Sequence, residues 1–289
     1  MNDFEVIILN DGSKDKTDSV CREYTRRDDR IRYASQDKNK GVAYVRNRLL
    51  EMAAGEWIVF IDADDYVTDD YLAGFYRQIC RHPETDVFVC NMYIVYAEKT
   101  TTNRSFKGSK KDYYHELLRK RYWKASSGLC AKAIRRSLIE RYHVRFKEGF
   151  NLGEDLYFLV VLLYHTDSIG IDNRPRYFYR MVGNSITHDS DYTRQDVACF
   201  KAVINFICSK PEAKEYARSL NWGKMQIRSR WYLAVRRGQQ DDADPFVFND
   251  VQYEGLPFMD RIRLFCVNHD MFNTIRAINR IARFLGNMP

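Results

Sequence analysis

The sequence lacks the patterns that mark several common kinds of protein. Seven cysteines occur among 289 residues, but no Cys-x-x-Cys pair is present, which argues against a zinc site or a redox pair. No apolar run reaches the roughly 20 residues that a membrane-spanning helix needs, and the start at Met1-Asn2-Asp3-Phe4 does not resemble a signal peptide. We therefore expect a cytoplasmic protein whose cysteines are small core residues in a reducing compartment.

Motifs of several enzyme classes and of nucleic-acid binders are also absent. The sequence contains no P-loop, no Gly-x-Gly-x-x-Gly and no Ser/His/Asp arrangement, so nothing supports a kinase, a dehydrogenase or a hydrolase. It has no RNP-like motif, zinc-finger spacing or basic zipper, and we expect no nucleic-acid partner. The net charge of +7 fits a polyanionic or diphosphate ligand, or an anionic membrane surface, and identifies none of them.

The sequence instead has the composition of a folded α/β protein, with 45% hydrophobic and 14% aromatic residues. Strand-like and helix-like segments alternate from Phe4 to Tyr96, and continuous apolar runs such as Trp57–Ile61 predict strands covered on both faces, as in a parallel sheet. After His188 the segments read as helices. We predict a mostly parallel sheet flanked by helices in residues 1–190 and a helical region in residues 191–289.

An acidic cluster follows the strand that begins at Trp57. Asp62, Asp64 and Asp65 lie where an open α/β sheet binds its ligands, beyond the carboxyl ends of the strands. Carboxylates this close repel one another unless a positive group is present. Mg²⁺ and Mn²⁺ suit such oxygen ligands and often bridge carboxylates to substrate phosphates. The alternative is a solvated acidic loop that caps the next helix.

Three further features accompany this Asp-x-Asp. Asp11 and Gly12 end the first strand, where a glycine lets the backbone approach a ligand and a carboxylate can accept from a ribose hydroxyl or a base N–H. Gly41 opens a helix that carries Arg46. Gly153-Glu154-Asp155 starts another helix far downstream. Taken singly, these features are equally compatible with a turn, a surface charge and a helix cap.

Taken together, in this order and spacing, the segments resemble the family 2 glycosyltransferases, which are nucleotide-diphospho-sugar transferases of the GT-A fold. The matching segments are Phe4–Asp15, Asn39–Asn47, Gly55–Asp65, Gly153–Asp155, Tyr179-Arg180 and Asn184–Thr187. The resemblance implies transfer of a sugar, with inversion, from a nucleotide-diphosphate donor to an acceptor hydroxyl. It favours a UDP-sugar donor and a saccharide or lipid-linked acceptor in bacterial polysaccharide or glycolipid synthesis.

The resemblance also implies roles for individual residues. Asp11 would contact the nucleotide, Asp62 would hold the ribose or the metal, and Asp64 would ligate Mg²⁺ or Mn²⁺ on the diphosphate. Asp155 would be the general base, with Glu154 orienting its loop. Arg46 is either a phosphate ligand or a buried ion pair. The remaining candidates for the donor or its metal are Gly12, Gly41, Lys132, Arg180 and His188, the last as a metal ligand.

The sequence departs from the family pattern at its start. Family members begin with an additional strand and helix before the strand that starts here at Phe4, and that additional strand lies inside the sheet. Its absence would leave backbone groups unpaired and apolar surface uncovered. We hypothesise a shortened product with impaired nucleotide binding, which keeps a non-catalytic fragment open as an alternative. A sugar-nucleotide nucleotidyltransferase is a further alternative, but its Gly-rich phosphate loop is not seen.

A basic amphipathic helix is predicted near the C-terminus. Its apolar face carries Ile275, Ile278, Ile281, Ala282 and Leu285, and its other faces carry Arg276, Arg280 and Arg283. Such a helix can lie on an anionic membrane, where lipid-linked acceptors reside, and would give a peripheral contact. The alternative is an ordinary helix that packs on the core.

Overall fold

The computed structural model describes residues 3–103, 106–119, 128–150, 152–181, 192–238 and 247–284. They form two compact units. The first takes the described residues up to Lys110 and those from Gly128 to Met181. The second takes the described residues of the remaining chain, from Lys111 and again after residue 191. The boundary near residue 190 stays a prediction.

The helices and strands follow the order expected for an α/β chain with a helical end. The strands are β1 (Val6–Asn10), β2 (Ile31–Ser35), β3 (Trp57–Val59), β4 (Tyr66–Val67), β5 (Val87–Val95), β6 (Thr100–Thr102), β7 (Lys132–Arg135) and β8 (Gly170–Arg180). The helices are α1 (Thr17–Thr25), α2 (Val42–Met52), α3 (Tyr71–Arg81), α4 (Lys110–Leu118), α5 (Arg136–Arg141), α6 (Glu154–Tyr164), α7 (Tyr192–Cys208), α8 (Ala213–Arg236), α9 (Phe258–Asn268) and α10 (Phe272–Phe284).

The strands of the first unit form two sheets. β1 pairs with β2 in parallel, and six strands form the second sheet in the order β3-β7-β5-β8-β4, with β6 added to β5. Within the second sheet only the β5–β8 pair is parallel. The α/β class is confirmed, but the expectation of a mostly parallel sheet is wrong. An apolar run shows that a strand is covered, and it carries no information on the direction of its neighbour.

The first sheet is separated from the second between β1 and β3. Among the described residues β1 pairs only with β2, and β3 pairs only with β7. Val6 is exposed, the next three residues of β1 are only partly buried, and α1 buries no residue. The β1–α1–β2 layer therefore has little core of its own.

Two carboxylates instead attach β1 to α2. The Glu5 side chain, just before β1, accepts backbone hydrogen bonds from Ala54 (2.7 Å) and Gly55 (3.1 Å), which follow α2. The Asp11 side chain, just after β1, accepts from the backbone N–H groups of Lys40 (2.8 Å) and Gly41 (3.0 Å), which precede α2. The two ends of β1 thus hold the two ends of the helix that carries Arg46.

The core of the first unit lies around β5 and α6. The residues Val87 to Met92 of β5 are all buried, and Tyr71, Phe75 and Tyr177 pack beside them. Helix α6 has three consecutive residues, Phe158 to Val160, with no exposed surface. Such a helix is covered all round, which fixes the position of its first turn.

The second unit is helical. Ile275 of α10 is fully buried against Tyr232, Leu233, Cys266 and Val267, and Ile278 packs beside it. The apolar face of α10 is therefore turned into the unit as far as residue 280, and the side chains beyond it lie outside the described part. None of the described helices combines the length and the hydropathy that a bilayer span requires.

Candidate active site

The centre of the site is Arg46, whose guanidinium contacts three carboxylates. Nη1 donates to Glu154 Oε1 (2.6 Å) and to Asp155 Oδ1, and Nη2 donates to Asp62 Oδ1 (3.2 Å). Arg46 is only 8% exposed. The buried face of α2, the chain after β3 and the first turn of α6 meet at this side chain. The structure thus favours the ion-pair role of Arg46 over the role of a phosphate ligand.

Burial and mutual repulsion set the protonation of the two acids on α6. Burial, and then the charge of Asp155, raise the pKa of Glu154 from 4.5 to about 7. Burial also raises the pKa of Asp155, and the positive charge of Arg46 opposes that shift. Burial favours neutral Arg46, but the Asp155 and Glu154 carboxylates outweigh it and raise the pKa of the guanidinium. Burial thus favours the protonated form of Glu154, beside an Arg46 whose charge the carboxylates stabilise.

Asp155 is the acid of this pair that a ligand can reach. Its side chain keeps 22% of its surface exposed, against 9% for Glu154. Gly153, at φ 81° in the left-handed region that favours glycine, immediately precedes α6, and both acids lie in the first turn of that helix. The N–H groups of a helix N-terminus favour negative charge nearby. Asp155 is therefore the accessible carboxylate of the pair, and its Oδ1 is bound by Arg46.

The acidic loop after β3 is held by Tyr177, a fully buried residue of β8. Its hydroxyl donates to Asp65 Oδ2 (2.7 Å) and accepts from the backbone N–H of Asp62 (3.1 Å). The backbone N–H of Arg180 donates to Asp65 Oδ1 (2.7 Å), and Arg180 Nε donates to the carbonyl of Asp64. Arg180 is thus brought to the loop, and Asp65 is an anchor rather than a free ligand.

Asp64 has the properties of a ligand for a cation. Its carboxylate is exposed and makes no hydrogen bond or ion pair with the rest of the described chain. The described residues contain no ready cluster of three His, Cys, Asp or Glu side chains for a metal. Mg²⁺, however, is commonly held by one or two carboxylates together with substrate phosphates and water. Asp64, with Oδ2 of Asp62, fits that mode of binding. His188 lies outside the described residues.

Asp11 and Gly12, which follow β1, lie against the loop between β2 and α2, and Gly41 is the last residue of that loop. Gly12 has φ +77°, and a Cβ there would lie 3.0 Å from the backbone carbon of Lys38. A side chain at Gly12 would therefore collide with this loop. Both oxygens of Asp11 hold the backbone of the same loop. The contact of Asp11 with a nucleotide stays a prediction.

Lys132 lies inside the unit. The residue is 1% exposed, and its ammonium group donates to the carbonyl of Gly128. Burial lowers the pKa of this lysine, and Cys130 and Asp155 oppose the shift. The geometry does not support the expected contact with a diphosphate. The sequence around Lys132 contains no pattern that would predict a buried side chain at this position.

Asn47 was quoted in the motif but given no role, and the structure assigns it one. Its side-chain amide donates to the carbonyl of Phe146 (2.9 Å) and accepts from the N–H of the same residue (2.8 Å). The Phe146 ring lies 5.7 Å from the Arg46 guanidinium. Asn47 therefore fixes the backbone at Phe146, whose ring lies beside the Arg46 guanidinium. Tyr177 carried no signal at all, since a tyrosine in an apolar strand is ordinary.

Two solved structures share this fold. Staphylococcus aureus TarS 1-349 in complex with UDP-GlcNAc superposes with a TM-score of 0.65 at 16% identity, covering 98% of this chain and 83% of TarS 1-349. The mannosyltransferase PcManGT from Pyrobaculum calidifontis, in complex with GDP-Man and Mn²⁺, gives a TM-score of 0.51 at 14% identity, covering 91% of this chain and 76% of PcManGT. These likenesses show that the chain has a fold of the GT-A type.

Sequence comparison finds related glycosyltransferases. Residues 1–142 match the model of glycosyl transferase family 2. The putative glycosyltransferase EpsH of Bacillus subtilis (strain 168) is 29% identical over an alignment of 231 residues that covers 76% of this chain and 65% of EpsH. The chain thus spans just under two thirds of that relative. The fold and family expected from the motifs are confirmed.

Proposed function

We propose that this chain transfers a sugar from a nucleotide-diphosphate donor to an acceptor hydroxyl, with Asp155 as the general base. The observation that carries the proposal is the shared guanidinium of Arg46, which joins Asp155 to Asp62. Arg46 thereby binds both the proposed proton acceptor, Asp155, and Asp62 of the acidic loop. In an acceptor complex, Asp155 would take the proton from the attacking hydroxyl.

The geometry supports inversion at the anomeric carbon. By analogy with glycoside hydrolysis, a retaining double displacement uses a second carboxylate as the nucleophile, whereas an inverting reaction uses a base that activates the incoming oxygen. Glu154, the other acid on α6, is buried and paired with Arg46, so it is not placed to attack a sugar. A single accessible base matches direct displacement by the acceptor.

The donor and the cation are inferred from the acidic loop together with the neighbours. We expect a UDP-sugar, because the TarS structure holds UDP-GlcNAc. Asp64 and Asp62 would hold Mg²⁺ or Mn²⁺, and the PcManGT structure contains Mn²⁺. A bound cation would supply positive charge for the diphosphate leaving group. A saccharide or a lipid-linked sugar would be the acceptor, in bacterial polysaccharide or glycolipid synthesis.

The test is a donor screen with a metal control. UDP-sugars are incubated with the protein and Mn²⁺, Mg²⁺ or EDTA, release of UDP is measured, and NMR gives the anomeric configuration of any product. We expect turnover with one donor, loss of turnover in EDTA, and loss in Asp64→Asn. The neighbouring exposed Asp69→Asn is the matched control and should keep its rate. Metal-independent turnover, or equal rates in both variants, would contradict the assignment of Asp64.

The separation of β1 from β3 keeps one alternative, a non-catalytic member of the family. The β1–α1–β2 layer has little core, and it carries Asp11. Calorimetric titration with UDP and Mn²⁺ separates the two functions. A chain that unfolds cooperatively but binds no UDP at millimolar concentration would be a non-catalytic protein, whereas tight binding favours the enzyme.

A further inference from the structure

A second cleft lies in the helical unit, where the end of α8 meets the outward face of α10. It has a volume of about 370 Å³. Three of its lining residues are arginines and two are asparagines; the lining is Arg237, Asn273, Arg276, Ala277, Asn279 and Arg280. Nothing in the glycosyltransferase site uses these residues.

The arginines of this cleft differ from their neighbours in lacking a carboxylate. Arg236 pairs with Asp270, and Arg230 pairs with Asp196 (3.1 Å). Arg237, Arg276 and Arg280 form no ion pair with any carboxylate in the described part of the chain. Three like charges that line one cleft repel one another, and a bound anion relieves that repulsion.

The cleft is built on a fixed helix. Ile275 and Ile278 pack the inner side of α10 onto the core of the unit, and Asn279 Oδ1 accepts from Arg263 Nε (3.2 Å). Arg276 and Arg280, four residues apart, therefore share the outer side of an anchored helix. The Arg276 guanidinium also lies 5.4 Å from the Phe272 ring. Anchoring lowers the entropy lost when a ligand binds.

We propose that this cleft binds the phosphate groups of a ligand. The planar guanidinium donates two parallel hydrogen bonds to a phosphate, and the asparagine amides add neutral donors. Three guanidinium groups match a ligand with at least two negative charges, such as a diphosphate or two successive phosphodiesters. The phosphate would come either from a free phosphorylated compound or from a lipid headgroup.

Calorimetric titration with inorganic diphosphate tests the site. It is run in EDTA, so that metal-dependent binding at the nucleotide site does not contribute and failure of one proposal leaves the other intact. The test variant is Arg276→Gln/Arg280→Gln. The control, Lys201→Gln/Lys214→Gln, removes the same charge from exposed positions of α7 and α8. We expect the test variant to weaken binding about 10-fold or more and the control to change it less than about twofold.

Flotation with vesicles distinguishes the two sources of phosphate. A lipid headgroup is identified if the wild-type chain floats with vesicles containing phosphatidylglycerol but not with vesicles of pure phosphatidylcholine. This flotation should then be lost in Arg276→Gln/Arg280→Gln. Retained diphosphate binding without flotation would identify a free compound. Equal affinity of the two double variants, or no diphosphate binding by the wild-type chain, would overturn the proposal.

The acidic run Asp241-Asp242-Ala243-Asp244, which follows Arg237 in the sequence, provides a further check. It lies outside the described residues. Diphosphate binding that appears only in Asp241→Asn/Asp242→Asn/Asp244→Asn would also overturn the proposal, because the arginines would then be neutralised within the chain. Diphosphate binding by the wild-type chain with an affinity similar to that of this triple variant would support the proposal.

Discussion

Arg46 and Asp155 are joined by a hydrogen-bonded ion pair that spans 109 positions of the sequence. The arginine is on a helix near the start of the chain, and the carboxylate is in the first turn of a helix from the middle. Because the same guanidinium also contacts Asp62, any shift of Arg46 would move the proposed base relative to the acidic loop. Arg46 is thus both an element of the core and a positioning residue.

Removing the arginine should destabilise the fold. Arg46→Gln leaves buried Glu154 and partly buried Asp155 without a cation, and breaking a buried pair in this way costs about 3–5 kcal/mol of unfolding free energy. Urea unfolding measures the loss. Arg48→Gln is the control, because Arg48 is exposed on the same helix and pairs with exposed Glu51. A similar loss in both variants would show that Arg46 has no special structural role.

Removing the proposed base should affect the rate far more than donor binding. Asp155→Asn keeps the size of the side chain but cannot accept the proton, and we expect kcat to fall about 100- to 10,000-fold. UDP affinity, measured by calorimetry, should stay within about twofold. A kcat unchanged in this variant would assign the proton transfer to another group.

Glu154 should make stability depend on pH. Its pKa is raised from 4.5 to about 7 in the folded protein, so the folded chain keeps a proton that the unfolded chain releases in this interval. The free energy of unfolding therefore falls as pH rises from about 4.5 to about 7, by up to about 3 kcal/mol from this group. Its stabilising contribution is complete below pH 4.5 and is lost as pH passes the folded pKa.

Urea unfolding at pH 5 and pH 7.5 measures this dependence. Glu154→Gln cannot titrate, and the difference in unfolding free energy between the two pH values should shrink in this variant. Exposed Glu51→Gln serves as the control and should keep the wild-type difference. An unchanged difference in Glu154→Gln would mean that Glu154 titrates alike in the folded and unfolded chains.

Tyr177 should matter through its hydroxyl alone. Tyr177→Phe keeps the buried ring but leaves the carboxylate of Asp65 and the N–H of Asp62 without this partner, at a cost of about 1–3 kcal/mol. The loosened loop should also raise KM for the donor. Tyr66→Phe is the control, because its ring stacks on Phe178 at 4.4 Å and its hydroxyl makes no hydrogen bond within the described chain. A donor KM unchanged in Tyr177→Phe would contradict this role.

The sequence was informative where local chemistry determines the outcome. An apolar strand followed by Asp62 and Asp64, and a glycine before Glu154 and Asp155, are local patterns that predicted elements found in the structure. The directions of the strands depend on which segments become neighbours, and no single segment carries that information. The apolar run of β5 gave no indication that its partner β7 would be antiparallel.

Roles that depend on distant partners were harder to predict. Arg46 was assigned either to an ion pair or to phosphate, because both uses need only an arginine near the start of a helix. Tyr177 and Asn47 act on residues 115 and 99 positions away, respectively, and neither contact leaves a local pattern. Lys132 was expected to contact the donor diphosphate, yet its ammonium group donates to the carbonyl of Gly128 in the interior.

The attachment of β1 to α2 has a consequence for local unfolding. Glu5 and Asp11 hold the helix at both ends, so a partial opening of the first two strands would also release the helix that carries Arg46. Amide hydrogens of β1 and α2 should then exchange with solvent as one group, ahead of those of β5. The alignment of the proposed base would in this way depend on two strands to which, among the described residues, Asp155 makes no hydrogen bond.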